Sequence, residues 1–215
     1  MVVWGAQRPD VNLPKYTHTF ATFLKVTGEC CCGPECPHLT EHFTISWLPR
    51  DAVVQTWRLL PQPGANYDLY STLKLLTAEG EQFALWGPFA IDRSLYCRAV
   101  TQKALLEGGA VRYKAADTGY PTARVSNCIH AVSDLAEDSP RLRVASPGWG
   151  WSASYYVTRH LSPWFLDRRP THDWVLAELG LAGFCIRRMD LEAGNPTEGP
   201  LLRGLQALPR RGLPR

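Results

Sequence analysis

The 215-residue chain is 45% apolar and carries a formal net charge of +3, a length and balance that suit one domain with a filled core. Its eight Trp, eight Tyr and seven Phe are spread along the chain and form no basic aromatic strip, which argues against nucleic acid as a partner. No apolar run approaches the ~20 residues that cross a bilayer, and "MVVWGAQRPD" lacks the basic start and apolar middle of an export signal. The chain is expected to be soluble, either cytoplasmic or exported with its signal already removed.

In chain order, "KYTHTFATFLKV" (15–26) alternates and is rich in β-branched and aromatic residues, which predicts a strand with His18, Phe20, Thr22 and Leu24 on one face. After a turn-rich segment, "HFTISWL" (42–48) predicts a second strand with His42, Thr44 and Ser46 on its polar face. Neighbouring strands joined this way pair antiparallel, which can bring His18 and His42 to one side of a sheet. "NYDLYSTLKLLTAEG" (66–80) predicts a helix capped by Asn66 or Asp68 and stopped at Gly80; Asp92 caps a second over 93–109. Residues 82–89 and 110–117 read as strands, and "NCIHAVSDLAE" (127–137) as a helix begun by Ser126 or Asn127. Further on, 141–146 and 184–191 read as strands, 171–181 as a capped helix, and "SASYYVTRHL" (152–161) fits either class. From Glu192 the chain turns rich in Pro, Gly and Arg, so 1–191 is expected to form the domain and 192–215 a disordered tail.

A thiol at a helix N-terminus is favoured as thiolate by unpaired N–H groups and the helix dipole, and Cys128 occupies such a place. His130 lies two residues on, but that spacing turns it by about 200° onto the far face of the helix. The base must come from elsewhere, and His18 on a polar strand face is the candidate, with His42 to orient it. Against this stands the stripe Cys128, Ala131, Val132 and Leu135, on which cysteine acts as a small buried hydrophobe.

"THTFATFLKV", "EHFTISWL" and "SNCIHAV", in that order, resemble the circularly permuted papain-like proteins, the branch of the NlpC-type superfamily that includes lecithin retinol acyltransferase and its bacterial relatives. In that branch a strand histidine comes first, a second polar residue follows on the next strand, and the cysteine opens a helix in an "NC" context. The resemblance implies an α+β, permuted papain-like fold with an antiparallel sheet packed against the helix carrying the cysteine. It implies Cys128 as nucleophile, His18 as base and His42 as the orienting residue, with a small-molecule, peptide or lipid-like acyl substrate and no cofactor. A resting thiol of this kind is expected to be alkylated faster than an ordinary one.

Two other readings stay open. In one, the same fold is a non-catalytic binding or structural domain with Cys128 in its core. In the other, the loop from Cys30 to Cys36, with His38 beside it, holds a metal, although a lone cluster lacks the second ligand pair of a structural zinc site. Cys30, Cys31, Cys32, Cys36, Cys97 and Cys185 are an even set whose pairing is left undecided.

Overall fold

The computed structural model describes residues 1–8, 17–27, 38–117, 119–121, 123–136, 141–142, 150–168 and 172–195. In chain order the strands are β1 (Val2–Gln7), β2 (His18–Thr27), β3 (His38–Ile45), β4 (Trp47–Pro49), β5 (Gln62–Asn66), β6 (Gln82–Trp86), β7 (Arg112–Tyr113), β8 (Val125–Ser126) and β9 (Ile186–Met189). The helices are α1 (Leu69–Ala78), α2 (Arg93–Glu107), α3 (Cys128–Ser133), α4 (Gly150–Leu161) and α5 (Trp174–Glu178). The strands form a five-stranded sheet in the order β3-β2-β1-β6-β9 and a four-stranded sheet in the order β4-β5-β7-β8. Pairing is antiparallel except for β6 with β9 and β7 with β8. The class is therefore mixed α+β with sheets that are mainly antiparallel.

Period-two alternation divides the larger sheet between two cores. Val2, Trp4, Phe20, Phe83 and Leu85 point to one side, where Leu69, Leu73 and Leu76 of α1 cover them. Val3, Ala21, Phe23, Ala84 and Trp86 point to the other, against Leu95 and Ala99 of α2, Ala131 and Val132 of α3, and Tyr155 and Val157 of α4. Asp68 caps α1 by accepting from the Ser71 N–H at 2.8 Å, and Asp92 caps α2 by accepting from the Ser94 N–H at 2.7 Å, which satisfies donors that a helix start leaves unpaired.

Several elements differ from the sequence reading. The opening "VVWGAQ" is a central strand; both its faces are buried, so it shows no alternation to read. The run 42–48 is not one strand: it breaks at Ser46, where the chain leaves the larger sheet and starts the smaller one. Residues 152–161 resolve as helix α4, seated on β1 through small side chains: the Ser154 hydroxyl donates to the Trp4 carbonyl at 2.8 Å. The capped helix read over 171–181 contracts to the five residues of α5, ended by Gly180 at φ 66. Arg141 and Leu142 lie in no strand, and the rest of that expected strand, with the loop 28–37 and the tail 196–215, lies outside the described residues. No helix among the described residues is long and apolar enough to cross a membrane.

Candidate active site

Three of the elements converge near the start of β2. His18, 3% exposed, opens that strand opposite Ala6, and its ring stacks on Phe20 with centroids 5.2 Å apart. Its Nε2 lies 2.8 Å from Oγ of Ser46, the residue at which β3 gives way to β4. Asn66 holds that break: its Oδ1 accepts from the Ser46 N–H at 2.8 Å and its Nδ2 donates to the Thr44 carbonyl at 2.9 Å. The Ser46 hydroxyl in turn lies 2.8 Å from Oγ1 of Thr72, a fully buried residue of α1, and Thr72 Oγ1 lies 2.7 Å from the Asp68 carbonyl.

These contacts favour one proton order. Thr72 Oγ1 has one proton and two acceptors in reach, Ser46 Oγ at 2.8 Å and the Asp68 carbonyl at 2.7 Å; the carbonyl can only accept, and with the proton on that shorter contact Ser46 donates to Thr72 and accepts from Nε2–H of His18. Every member of this chain is satisfied, and the opposite order would leave two oxygens 2.7 Å apart with no proton between them. That order makes His18 the Nε2–H tautomer, with a lone pair on Nδ1, which has no hydrogen-bond partner among the described residues. Burial lowers its pKa to about 3, so the ring is neutral at ordinary pH.

Cys128 is the first residue of α3 and is 7% exposed. The helix starts there because Oδ1 of Asn127 accepts from the His130 N–H at 2.8 Å, and Asn127 is itself pinned by Asp117, whose Oδ1 accepts from Nδ2 at 3.1 Å and Oδ2 from the backbone N–H at 3.2 Å. The Asp117 carboxylate is 1% exposed and also accepts from Nδ1 of His130 at 2.7 Å and Nη2 of Arg141 at 3.0 Å. The Cys128 sulfur faces the N–H groups of Thr19, Ile129 and its own residue. A lowered thiol pKa was the expectation for a helix start, and it is not met: burial, with a smaller push from the Asp117 charge, outweighs those N–H groups and raises it to about 11. The resting group is a thiol.

The strand face separates the expected partners. His18 falls on the side of Phe20 and α1, whereas the α3 stripe falls on the side of Ala21 and Phe23. They meet only at the strand between them, where Thr19, the residue after His18, presents its N–H to the sulfur. No hydrogen bond joins Nδ1 to Cys128. His42 does not orient His18: it pairs with Leu24, six residues along β2, which is about 20 Å from His18, and it is exposed. Ser46 takes that contact. It shares the polar face of the run 42–48 with His42, so the sequence held the right face and the wrong register. Asp117 carries no signal in the sequence beyond being an acid before a turn.

His130 is occupied elsewhere, as its helical position implies. Its Nε2 lies 2.9 Å from the Leu142 carbonyl and its Nδ1 2.7 Å from Asp117 Oδ2, two groups that accept, a setting that favours a proton on both nitrogens. Burial disfavours that charge, but the Asp117 hydrogen bond and charge and the Leu142 carbonyl outweigh it and raise the pKa. Among the described cysteines, Cys97 and Cys185 are exposed free thiols; Cys30, Cys31, Cys32 and Cys36 lie outside the described residues. No family model, curated protein or solved structure matches the chain.

Proposed function

We propose that the protein is a thiol-dependent hydrolase or acyltransferase acting on an amide, ester or peptide bond, in a permuted papain-like arrangement with Cys128 as nucleophile, His18 as base and Ser46 in the orienting place. The observation that supports it is the proton order of the His18 chain: a neutral, buried imidazole has one nitrogen anchored and the other left as an unpaired acceptor, one residue before the N–H that faces the Cys128 sulfur. The step needs Nδ1 and the sulfur, which lie on opposite faces of β2 in this structure, to come to one side; the Cys128 proton then passes to Nδ1 as the sulfur forms a bond to the carbonyl carbon of the substrate. The carbonyl π pair moves to oxygen, near the N–H groups of Cys128 and Ile129. Collapse breaks the carbon–nitrogen or carbon–oxygen bond, the leaving group takes the proton from Nδ1, and a thioester remains. Water or an acyl acceptor then attacks it, gives its proton to Nδ1, and the departing sulfur recovers that proton.

The second reading, a non-catalytic domain with Cys128 in its core, is favoured by the burial of the sulfur and by its raised pKa. Iodoacetamide labelling followed by peptide mass spectrometry separates the two, with exposed Cys97 and Cys185 as references in the same molecule. In the enzyme reading, the rate at Cys128 falls in a folded His18→Gln variant while the two references keep theirs. Equal rates at Cys128 in both proteins remove His18 as its base. Cys128→Ser buries a hydroxyl where the thiol is 7% exposed, so it is expected to lower stability by on the order of 1–3 kcal/mol in either reading, and the labelling rate is what separates them.

A further inference from the structure

The loop between β4 and β5 turns apolar side chains outward. Trp57 is 93% exposed, Leu59 87% and Leu60 73%, with Val53 half exposed beside them. A folded chain rarely shows a tryptophan and two leucines so openly within four residues. The segment is nonetheless tied down. The Asp51 carboxylate accepts from the Val53 N–H at 3.1 Å, the Gln62 amide reaches the Val53 carbonyl at 3.5 Å, and the Arg58 N–H donates to the Gln55 carbonyl at 3.3 Å. From β7, Arg112 Nε donates to the Pro61 carbonyl at 3.2 Å, and just after that strand Lys114 Nζ donates to the Arg58 carbonyl at 2.9 Å.

Those anchors also set the charge around the apolar tip. Arg58 lies within it, Arg112 and Lys114 reach its carbonyls and Arg50 begins the loop, whereas Asp51 is the one acid in residues 50–66. We propose that this loop is a membrane-docking surface, seating Trp57, Leu59 and Leu60 among the acyl chains at the interface of an anionic bilayer while the surrounding Arg and Lys side chains meet its headgroups. Tryptophan prefers the boundary between headgroup and acyl chain, and basic residues favour an anionic leaflet. The charge pattern disfavours two other occupants. The tail 199–215 holds four arginines and no acid, and a second copy presents the same cations. The inference stands apart from the thiol chemistry.

The test is co-sedimentation of the full chain with vesicles of phosphatidylcholine alone and of phosphatidylcholine with about a third phosphatidylserine. The expected result is binding to the anionic vesicles, weak binding to the neutral ones, and release as salt rises from about 0.1 M to 0.5 M and shortens the Debye length. A W57S/L59S/L60S variant, substituted only at exposed positions, is expected to lose about tenfold or more in partitioning while keeping its thermal unfolding midpoint. Arg58→Glu lowers binding to anionic vesicles and leaves the neutral ones unchanged. Failure of the wild type to sediment with anionic vesicles overturns the proposal, as does equal binding by the triple variant. Concentration-dependent dimerisation abolished by the triple substitution, without vesicle binding, also overturns it and makes a second copy the occupant.

Discussion

At His18, a single imidazole ties acid stability to the site. Its pKa is lowered from 6.5 to about 3 by burial, so between those values the unfolded chain binds a proton that the folded chain refuses. The stability this neutral ring contributes is fully present above pH 6.5 and is lost as pH falls toward 3, at about 1.4 kcal/mol per pH unit within the window. His18→Gln keeps an amide donor for Ser46 and has no proton to gain. Urea midpoints measured across pH 3 to 7 are expected to fall steeply on acidification for the wild type and less so for the variant. Parallel curves would place the acid sensitivity elsewhere. His130 has the opposite sign, since Asp117 and the Leu142 carbonyl raise its pKa and favour the folded form at low pH. The two histidines near one cysteine therefore respond to acid in opposite directions.

Among the elements, the β4–β5 hairpin is the join between the sheets, and it closes on a glycine. Trp47, fully buried, lays its indole over Gly64, where a methyl group would come within 2.1 Å of Cζ2 of that ring. Neither the fixed indole nor the strand backbone has room to yield, so Gly64→Ala is expected to lower stability by about 1–3 kcal/mol, read as a shift in urea midpoint. An unchanged midpoint would mean that Trp47 repacks freely. This residue was invisible in advance: "QPGAN" contains a proline and a glycine, which disfavour a strand, and β5 exists because it pairs with β4 and β7. The element that carries Cys128 was easier to foresee, because Asn127 is a cap by its chemistry and the stripe behind it is apolar. What α3 packs against was not foreseeable. Its face was read correctly as buried, yet no pattern in "SNCIHAV" says that the strand histidine will lie across the sheet from it.

Over the whole molecule, local patterns announced most elements, and pairing decided the rest. The strand carrying His18, the caps Asp68 and Asp92, and the start of α3 were legible because each rests on nearest-neighbour chemistry. Strand β1 was not, since a strand buried on both faces has no alternation, and the register of β2 with β3 was not, since His42 and Ser46 share one face and only long-range packing chooses between them. The site followed the same division. Cys128 and His18 were visible as residue types in plausible settings, whereas Ser46, Thr72 and Asp117 enter through contacts with no sequence signature.

The chain from His18 through Ser46 and Thr72 to the Asp68 carbonyl crosses from the larger sheet, through the start of the smaller, to the first turn of α1. Its direction is set at the helix end, by a hydroxyl that has no contact with the imidazole. Thr72→Val removes that hydroxyl at nearly constant shape, so Ser46 loses its acceptor and turns its proton back toward Nε2. The ring then gains population with hydrogen on Nδ1, and ¹⁵N imidazole shifts are expected to move toward that form, with unchanged shifts refuting the proton order. A strand histidine is thus a gauge of how firmly a helix on one face of the sheet stays in register with the strands beneath it.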